Sequence, residues 1–214
     1  MKIALIGATG FVGSAVLTEL LSRGHAVTAL ARDPGKLPPQ TGLQVVKADV
    51  QDAAQVAAAL AGQDALVSAF NPGWGEAEIH RLFGQGYDAI LAGAKRAGLQ
   101  RVLAVGGAGS LEVAPGLQLV DTPEFPAEWK QGALAARDLL TRLRGESGLA
   151  WSFISPPIAL APGARTGTYR VGGDQLLPGK GDAPAGISVA DLAVAIVDEM
   201  ERPKHIRRRF TVAH

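Results

Sequence analysis

Gly7, Gly10 and Gly13 are the residues whose type and spacing most directly imply chemistry. They punctuate Gly7-Ala-Thr-Gly-Phe-Val-Gly13, where an apolar run from Ile3 to Ile6 gives way to a helical pattern from Phe11. A strand-to-helix turn without side chains exposes backbone N–H groups to an anion, and the helix adds about half a positive charge at that end. A diphosphate suits this arrangement, with Thr9, Phe11 and Val12 completing the turn around it. Glycine spacing alone is a weak signal. Its place between a strand and a helix makes it a strong one.

With a pyrophosphate on that turn, the ends of the following strands border the rest of a dinucleotide. The residue closing the second strand selects the cofactor, because a carboxylate there binds a ribose 2′-hydroxyl and repels a 2′-phosphate. Ala31 occupies that position and Arg32 follows. A guanidinium forks onto a phosphate, so NADP(H) is expected in preference to NAD(H). The alternatives are a solvated Arg32 and a ribose contact from Asp33. Asp49 and Val50 lie past the third strand, beside the expected adenine, although Asp49 equally suits the start of the next helix. Ala69, Phe70 and Asn71 end the fourth strand near ribose and pyrophosphate. Val105, Gly106 and Gly107 end the fifth near the nicotinamide, where small residues leave room for a flat ring; a flexible turn is their plainer role.

The elements that must position these groups alternate along the chain. Strands are expected at 26–31, 43–47, 65–70, 101–105, 150–154 and 208–212, and helices at 11–23, 52–61, 76–97, 127–144 and 189–201. In the long central helix Ile79, Leu82, Phe83, Ile90 and Leu91 recur at helical spacing. This alternation predicts an α/β fold, a Rossmann-type doubly wound parallel sheet in three α/β/α layers. Leu111 to Pro126, with Pro115 and Pro123 between them, is expected as an irregular loop. From Ala161 to Gly186 glycine, proline and short alternating runs replace the pattern, which predicts a small C-terminal appendage over the cleft with an added strand at Thr166–Val171. No repeat or linker interrupts residues 1–214, so a single domain is expected.

Composition excludes several function classes. Net charge is +1, which gives no global field for nucleic acid or a membrane surface. Cysteine is absent, removing disulfides, thiolate catalysis and zinc-thiolate sites together. His25, His80, His205 and His214 lack metal-ligand spacing, so no metal is expected, and only His80 falls near the expected cleft. No G-x-S-x-G elbow starts a hydrolase triad. The basic turn from Arg202 to Arg209 is flanked by Asp198, Glu199 and Glu201, which favours a local turn over a nucleic-acid patch. With strand character from Lys2 and no apolar run near the ~20 residues of a membrane span, a cytoplasmic protein without a leader is expected.

Four segments together resemble the atypical short-chain dehydrogenase/reductases: Gly7-Ala-Thr-Gly-Phe-Val-Gly13, Ala31-Arg-Asp-Pro34, Val105-Gly-Gly-Ala-Gly-Ser-Leu111 and Phe153-Ile-Ser-Pro-Pro157. Thr166-Gly-Thr-Tyr-Arg170 and Ile187-Ser-Val-Ala-Asp191 narrow the resemblance to the small NAD(P)H-binding group labelled NADH-flavin reductases, akin to flavin/biliverdin reductase and often described as NAD-dependent epimerase/dehydratase. It spans nearly the whole chain and implies a cofactor contact at Pro156. The chain departs from the larger family where that family keeps a Tyr-x-x-x-Lys pair, whose lysine lowers the tyrosine pKa for proton transfer. Four residues beyond Tyr87 and Tyr169 stand Leu91 and Gly173, and the tyrosine position relative to Lys130 is Pro126. The resemblance leaves Lys130 as the candidate catalytic residue and as a holder of the nicotinamide ribose hydroxyls; an exposed helix lysine is the alternative.

Without that tyrosine, alcohol oxidation lacks its acid. A flavin, quinone or similar flat acceptor needs chiefly a hydride and an oriented ring, with its proton supplied by water. Trp74, Phe125 and Trp129 are candidates for holding it. The expectation is therefore an NADPH-dependent oxidoreductase acting on a small molecule as monomer or homodimer. The rival is a non-catalytic NADP(H)-binding redox sensor, and a sugar-nucleotide epimerase or dehydratase ranks below both.

Overall fold

Ile3 and Leu5 face one side of the first strand and Ala4 and Ile6 the other, following the two-residue period of extended backbone. A strand apolar on both sides needs cover on both. The computed structural model, which describes every residue except Lys180 and Asp182, supplies it.

The chain runs β1 (Lys2–Ile6), α1 (Phe11–Ser22), β2 (Ala26–Ala31), β3 (Leu43–Lys47), α2 (Ala53–Leu60), β4 (Ala65–Ser68) and α3 (Ile79–Arg96). It continues through β5 (Arg101–Val105), a hairpin of β6 (Glu112–Ala114) and β7 (Leu117–Gln118), then α4 (Ala127–Arg144) and β8 (Ala150–Ser155). Short strands β9 (Ala159–Ala161), β10 (Arg170–Gly172) and β11 (Gly186–Ser188) precede α5 (Val189–Glu201) and β12 (Arg208–Ala213). The main sheet has eight strands in the order β10-β12-β8-β5-β4-β1-β2-β3. All its pairings are parallel except that of β10 with β12.

Two apolar layers hold the helices to this sheet. Val16, Leu17 and Leu20 of α1 and Leu192, Ile196 and Val197 of α5 pack on Ile3, Leu5, Leu103 and Val105. On the opposite face Val56 and Leu60 of α2, Phe83 and Ile90 of α3 and Leu139 and Leu143 of α4 pack on Ala4, Ile6, Val102 and Trp151. Each fully buried aliphatic or aromatic side chain contributes about 1.5–3 kcal/mol by leaving water. This is the doubly wound α/β/α arrangement the alternation predicts.

The differences from expectation lie at the edges. The fourth strand stops at Ser68, not Phe70, and the following helix starts at Ile79, not Glu76. Between them Gly73, with φ of +131°, and the turn in which Glu76 N–H donates to the Gly73 carbonyl delay the helix. The segment Leu111–Pro126 is not wholly irregular, for it carries the β6–β7 hairpin. The added strand is shorter than Thr166–Val171, because Thr166 and Gly167 turn inward to a buried carboxylate and only Arg170–Gly172 pairs with β12. Lys180 and Asp182, within the expected appendage, lie outside the described residues.

Candidate functional site

β1 and β4 are neighbours, yet the chain leaves β1 toward β2 on one side and returns through β4 on the other. At such a switch point the connections diverge and leave a crevice beyond the carboxyl ends of the strands. The Gly7–Gly13 turn and Ala69–Asn71 flank it.

The three glycines of the turn serve different ends. Gly7 has φ of +86°, and a Cβ there would lie 2.5 Å from the Ala69 carbonyl oxygen. A Cβ on Gly13 would run into the Gly7 carbonyl. These two therefore let α1 and the end of β4 close onto the turn, a packing requirement that the chemical reading of the motif overlooks. Gly10 is different. It is exposed, and a Cβ on it would meet only the Gly7 carbonyl oxygen at 3.3 Å, projecting into otherwise open space. Gly10 leaves the space in front of α1 open.

Gly10 caps α1 without a side chain. Ser14 is the first residue of the helix whose N–H reaches a backbone carbonyl, that of Gly10 at 2.9 Å. The N–H groups of Phe11, Val12 and Gly13 have no protein acceptor among the described residues. No acidic side chain occupies this first turn. Unpaired donors and an uncompensated helix dipole fit a diphosphate, so the residues present suit a dinucleotide. Thr9 and Phe11 are exposed beside them, Phe11 by 50%.

Arg32 is exposed just past the end of β2 and makes no ion pair among the described residues. Asp33 is engaged: its carboxylate accepts from the Gly35 N–H at 3.2 Å to start a short 3₁₀ turn. Asp49 forms a similar local turn with Gln51 N–H at 3.0 Å, while Asp52 caps α2. Asp49 is thus exposed at the expected adenine position without being the helix cap.

Several expected side chains belong instead to the core. Val50 packs into the α2–α3 layer. The Phe70 ring lies over Gly86 and joins Phe83 and Tyr87 in an aromatic cluster, the last pair 4.8 Å apart. The Asn71 side chain accepts from Gly73 N–H at 2.7 Å. Val105 and Pro156 are buried. Gly106 is held by packing, since a Cβ there would enter the Phe153 ring, whereas Gly107 faces open space. The side chains of Val50, Val105 and Pro156 are buried, and that of Phe70 is partly so. Sequence offers no signal that separates Gly106 from Gly107.

Lys130 sits exposed in the first turn of α4 with no ion-pair partner among the described residues. Neither tyrosine joins it. Tyr87 is buried against the end of β4 in the middle of the sheet, its hydroxyl against Ser68, and burial pushes its pKa up. Tyr169 donates to Asp198 at 2.6 Å, and burial with that carboxylate raises its pKa too. His80 does not enter the crevice; it ties α3 to α4 through Asp138 at 2.9 Å.

The family model for NAD(P)H-binding proteins matches residues 7–203. The chain belongs to that family. Its Bacillus subtilis relative YwnB is 40% identical over 216 residues, covering 99% of this chain and 98% of its own. A Bacteroides thetaiotaomicron structure named as a proposed epimerase superposes with a TM-score of 0.91 at 44% identity, covering 100% of this chain and 96% of that one. A Streptococcus pneumoniae structure named as a proposed NADH-flavin reductase gives 0.84 at 33% identity, covering 100% and 99%. A nicotinamide nucleotide is thus this family's ligand, and the likeness extends over the whole fold. No helix among the described residues is long and apolar enough to cross a membrane.

The structure also gives a use to a residue to which the sequence assigns no role. Asp191, completely buried in the first turn of α5, accepts from Thr166 N–H at 2.9 Å, Gly167 N–H at 2.7 Å and the Thr166 hydroxyl at 2.7 Å, and pairs with His214 at 2.8 Å. Burial opposes its ionisation, but these donors outweigh it and hold the carboxyl below its ordinary range. The Ser188-x-x-Asp191 capping pattern was the available signal. The two narrow segments of the resemblance therefore meet in one clasp around Asp191.

Proposed function

We propose that this chain is an NADPH-dependent reductase that passes a hydride to a flavin, quinone or similar flat acceptor. The observation that carries this reading is a dinucleotide crevice with no tyrosine in it, both tyrosines being committed to packing elsewhere. Epimerases and alcohol dehydrogenases of this fold depend on such an acid, so the crevice suits an acceptor whose proton comes from water. Bound there, the cofactor supplies hydride; the protein supplies its seat and its orientation.

The unpaired N–H groups of Phe11, Val12 and Gly13 would hold the diphosphate, with Gly10 and Thr9 bordering it. Arg32, free of protein partners among the described residues, would take the 2′-phosphate and set the preference for NADP(H) over NAD(H). Asp49 would accept from the adenine amino group. The main chain at Val50, Ala69 to Asn71, Val105 to Gly107 and Pro156 would border the sugars and the nicotinamide. Lys130 would donate to the nicotinamide ribose hydroxyls; as the catalytic residue it acts by fixing that ring. We assign the protein to the cytoplasm, where a reduced nicotinamide pool is maintained, as a single domain acting as monomer or homodimer.

NADPH consumption with FMN, riboflavin, a naphthoquinone and biliverdin tests the reading. Turnover with at least one of them is expected. Tight NADPH binding without turnover on any of the four overturns it and leaves a redox sensor.

A further inference from the structure

The chain is poor in aromatic residues, at 5%, and has three tryptophans. Trp151 is buried in the core, but Trp74 is 60% exposed and Trp129 53% exposed. Two exposed indoles in so aromatic-poor a chain need a reason, since each leaves a large apolar face in water.

Their placement supplies one. Trp74 stands between Gly73 and Gly75 in the connection from β4 to α3, beyond the carboxyl end of the sheet. Its ring rests on Gly132 of α4: a Cβ there would lie 2.7 Å from the ring and 3.1 Å from Ile79. Trp129 lies one turn earlier on the same helix, and residues three apart share a helical face with Cβ atoms about 5–6 Å apart. The next residue of α4, Ala133, touches Gly109 in the turn after β5; a Cβ on Gly109 would lie 2.8 Å from it. Adjacent α4 residues therefore carry the Trp74 ring and brace the turn that begins with Gly106 and Gly107.

We infer that Trp74 and Trp129 form a stacking clamp for an extended planar acceptor, a fused-ring flavin or naphthoquinone and not a small carbonyl compound, with Gly132 as the seat that sets the pitch of Trp74. The inference rests on the reductase reading and names its substrate class. An indole face gives a large contact area at the cost of two side-chain torsions, and stacked aromatic pairs gain beyond the area they bury. A single-ring or aliphatic carbonyl covers too little of two indoles to use them. Gly132 matters because any side chain at that position displaces the ring.

Riboflavin, added to the protein without NADPH, tests this through tryptophan emission, while calorimetry follows NADPH separately. In the wild type, riboflavin quenches the exposed tryptophans and leaves a residual signal from Trp151. Trp74→Ala raises the riboflavin Kd about tenfold, and Trp74→Phe recovers part of that loss. Trp129→Ala has a smaller effect in the same direction. Gly132→Ala, whose added Cβ is met first by the exposed Trp74 ring, falls between wild type and Trp74→Ala. NADPH affinity changes far less than riboflavin affinity in all four, because the N–H groups of Phe11, Val12 and Gly13 are left untouched. Unquenched wild-type emission, or Trp74→Ala binding riboflavin as the wild type does, overturns the clamp. Quenching without NADPH oxidation instead overturns the reductase reading and leaves the clamp standing.

Discussion

The turn at Gly7–Gly13 and the clasp around Asp191 are both places where loop backbone meets the start of a helix, and they treat their polar groups in opposite ways. At the first, the N–H groups of Phe11, Val12 and Gly13 find no protein acceptor among the described residues, and no acid enters the first turn of α1. At the second, Ser188 caps α5 and Asp191 collects two N–H groups, a hydroxyl and an imidazole. Around it Arg165 binds Glu19 at 2.7 and 2.8 Å, and Arg23 binds both Glu19 and Asp198 at 2.7 Å. Unmet donors in an open crevice store affinity for an anion, whereas met ones inside the protein fix a segment in place. Both sequences carry the family resemblance equally well. Only the state of their hydrogen bonds separates them, donors left open in one and satisfied in the other.

That contrast breaks first at the glycines. Gly13→Ala is expected to cost about 3 kcal/mol or more in urea unfolding, because its Cβ has only the Gly7 carbonyl to displace. Gly10→Ala, three residues away, should change stability by no more than about 1 kcal/mol yet weaken NADPH at least about tenfold in calorimetry. Equal behaviour of the two variants would erase the division of labour within the motif. Asp191→Asn should cost about 3 kcal/mol in the same unfolding experiment while NADPH affinity is kept, since buried donors lose their charged acceptor.

Acid should act on the clasp and spare the turn, which has no carboxylate. The carboxyls of Glu19, with Arg165 as the leading cause, and of Asp191 are held below their ordinary values of 4.5 and 3.8. A depressed folded-state pKa adds stability above the unfolded value and loses it as pH falls toward the folded one. A Tm series should therefore hold level near neutrality and drop below the 3.8–4.5 range, and Asp191→Asn should blunt that drop. Arg32→Ala should raise the NADPH Kd about tenfold and leave that of NADH unchanged. The smallest effect is expected from Tyr169→Phe, which loses one hydrogen bond to Asp198. A cost of about 1 kcal/mol with unchanged turnover fits a structural tyrosine, and lost turnover would return it to the chemistry.

Strands β2, β3 and β5 and helices α4 and α5 could be read from the sequence to the residue, because apolar period and glycine or proline stops are local properties. The start of α3 was misplaced by three residues, because the Gly73–Glu76 turn competes with helical spacing only once β4 has set its direction. Ala31, the glycine turn and the missing Tyr-x-x-x-Lys tyrosine were equally legible, being matters of residue type at a fixed spacing.

By itself the chain's order of residues determined a doubly wound sheet, a strand-to-helix turn fit for a diphosphate, and the want of the usual acid. Tertiary structure alone decided that Gly10 is the open glycine of its motif, that Phe70 turns inward, that Asp191 anchors Thr166 and Gly167, and that Gly132 carries Trp74. The physical reason is range. Period, caps and spacing act over a few neighbouring residues, whereas a Cβ clash or a buried acceptor depends on atoms brought together from distant parts of the chain.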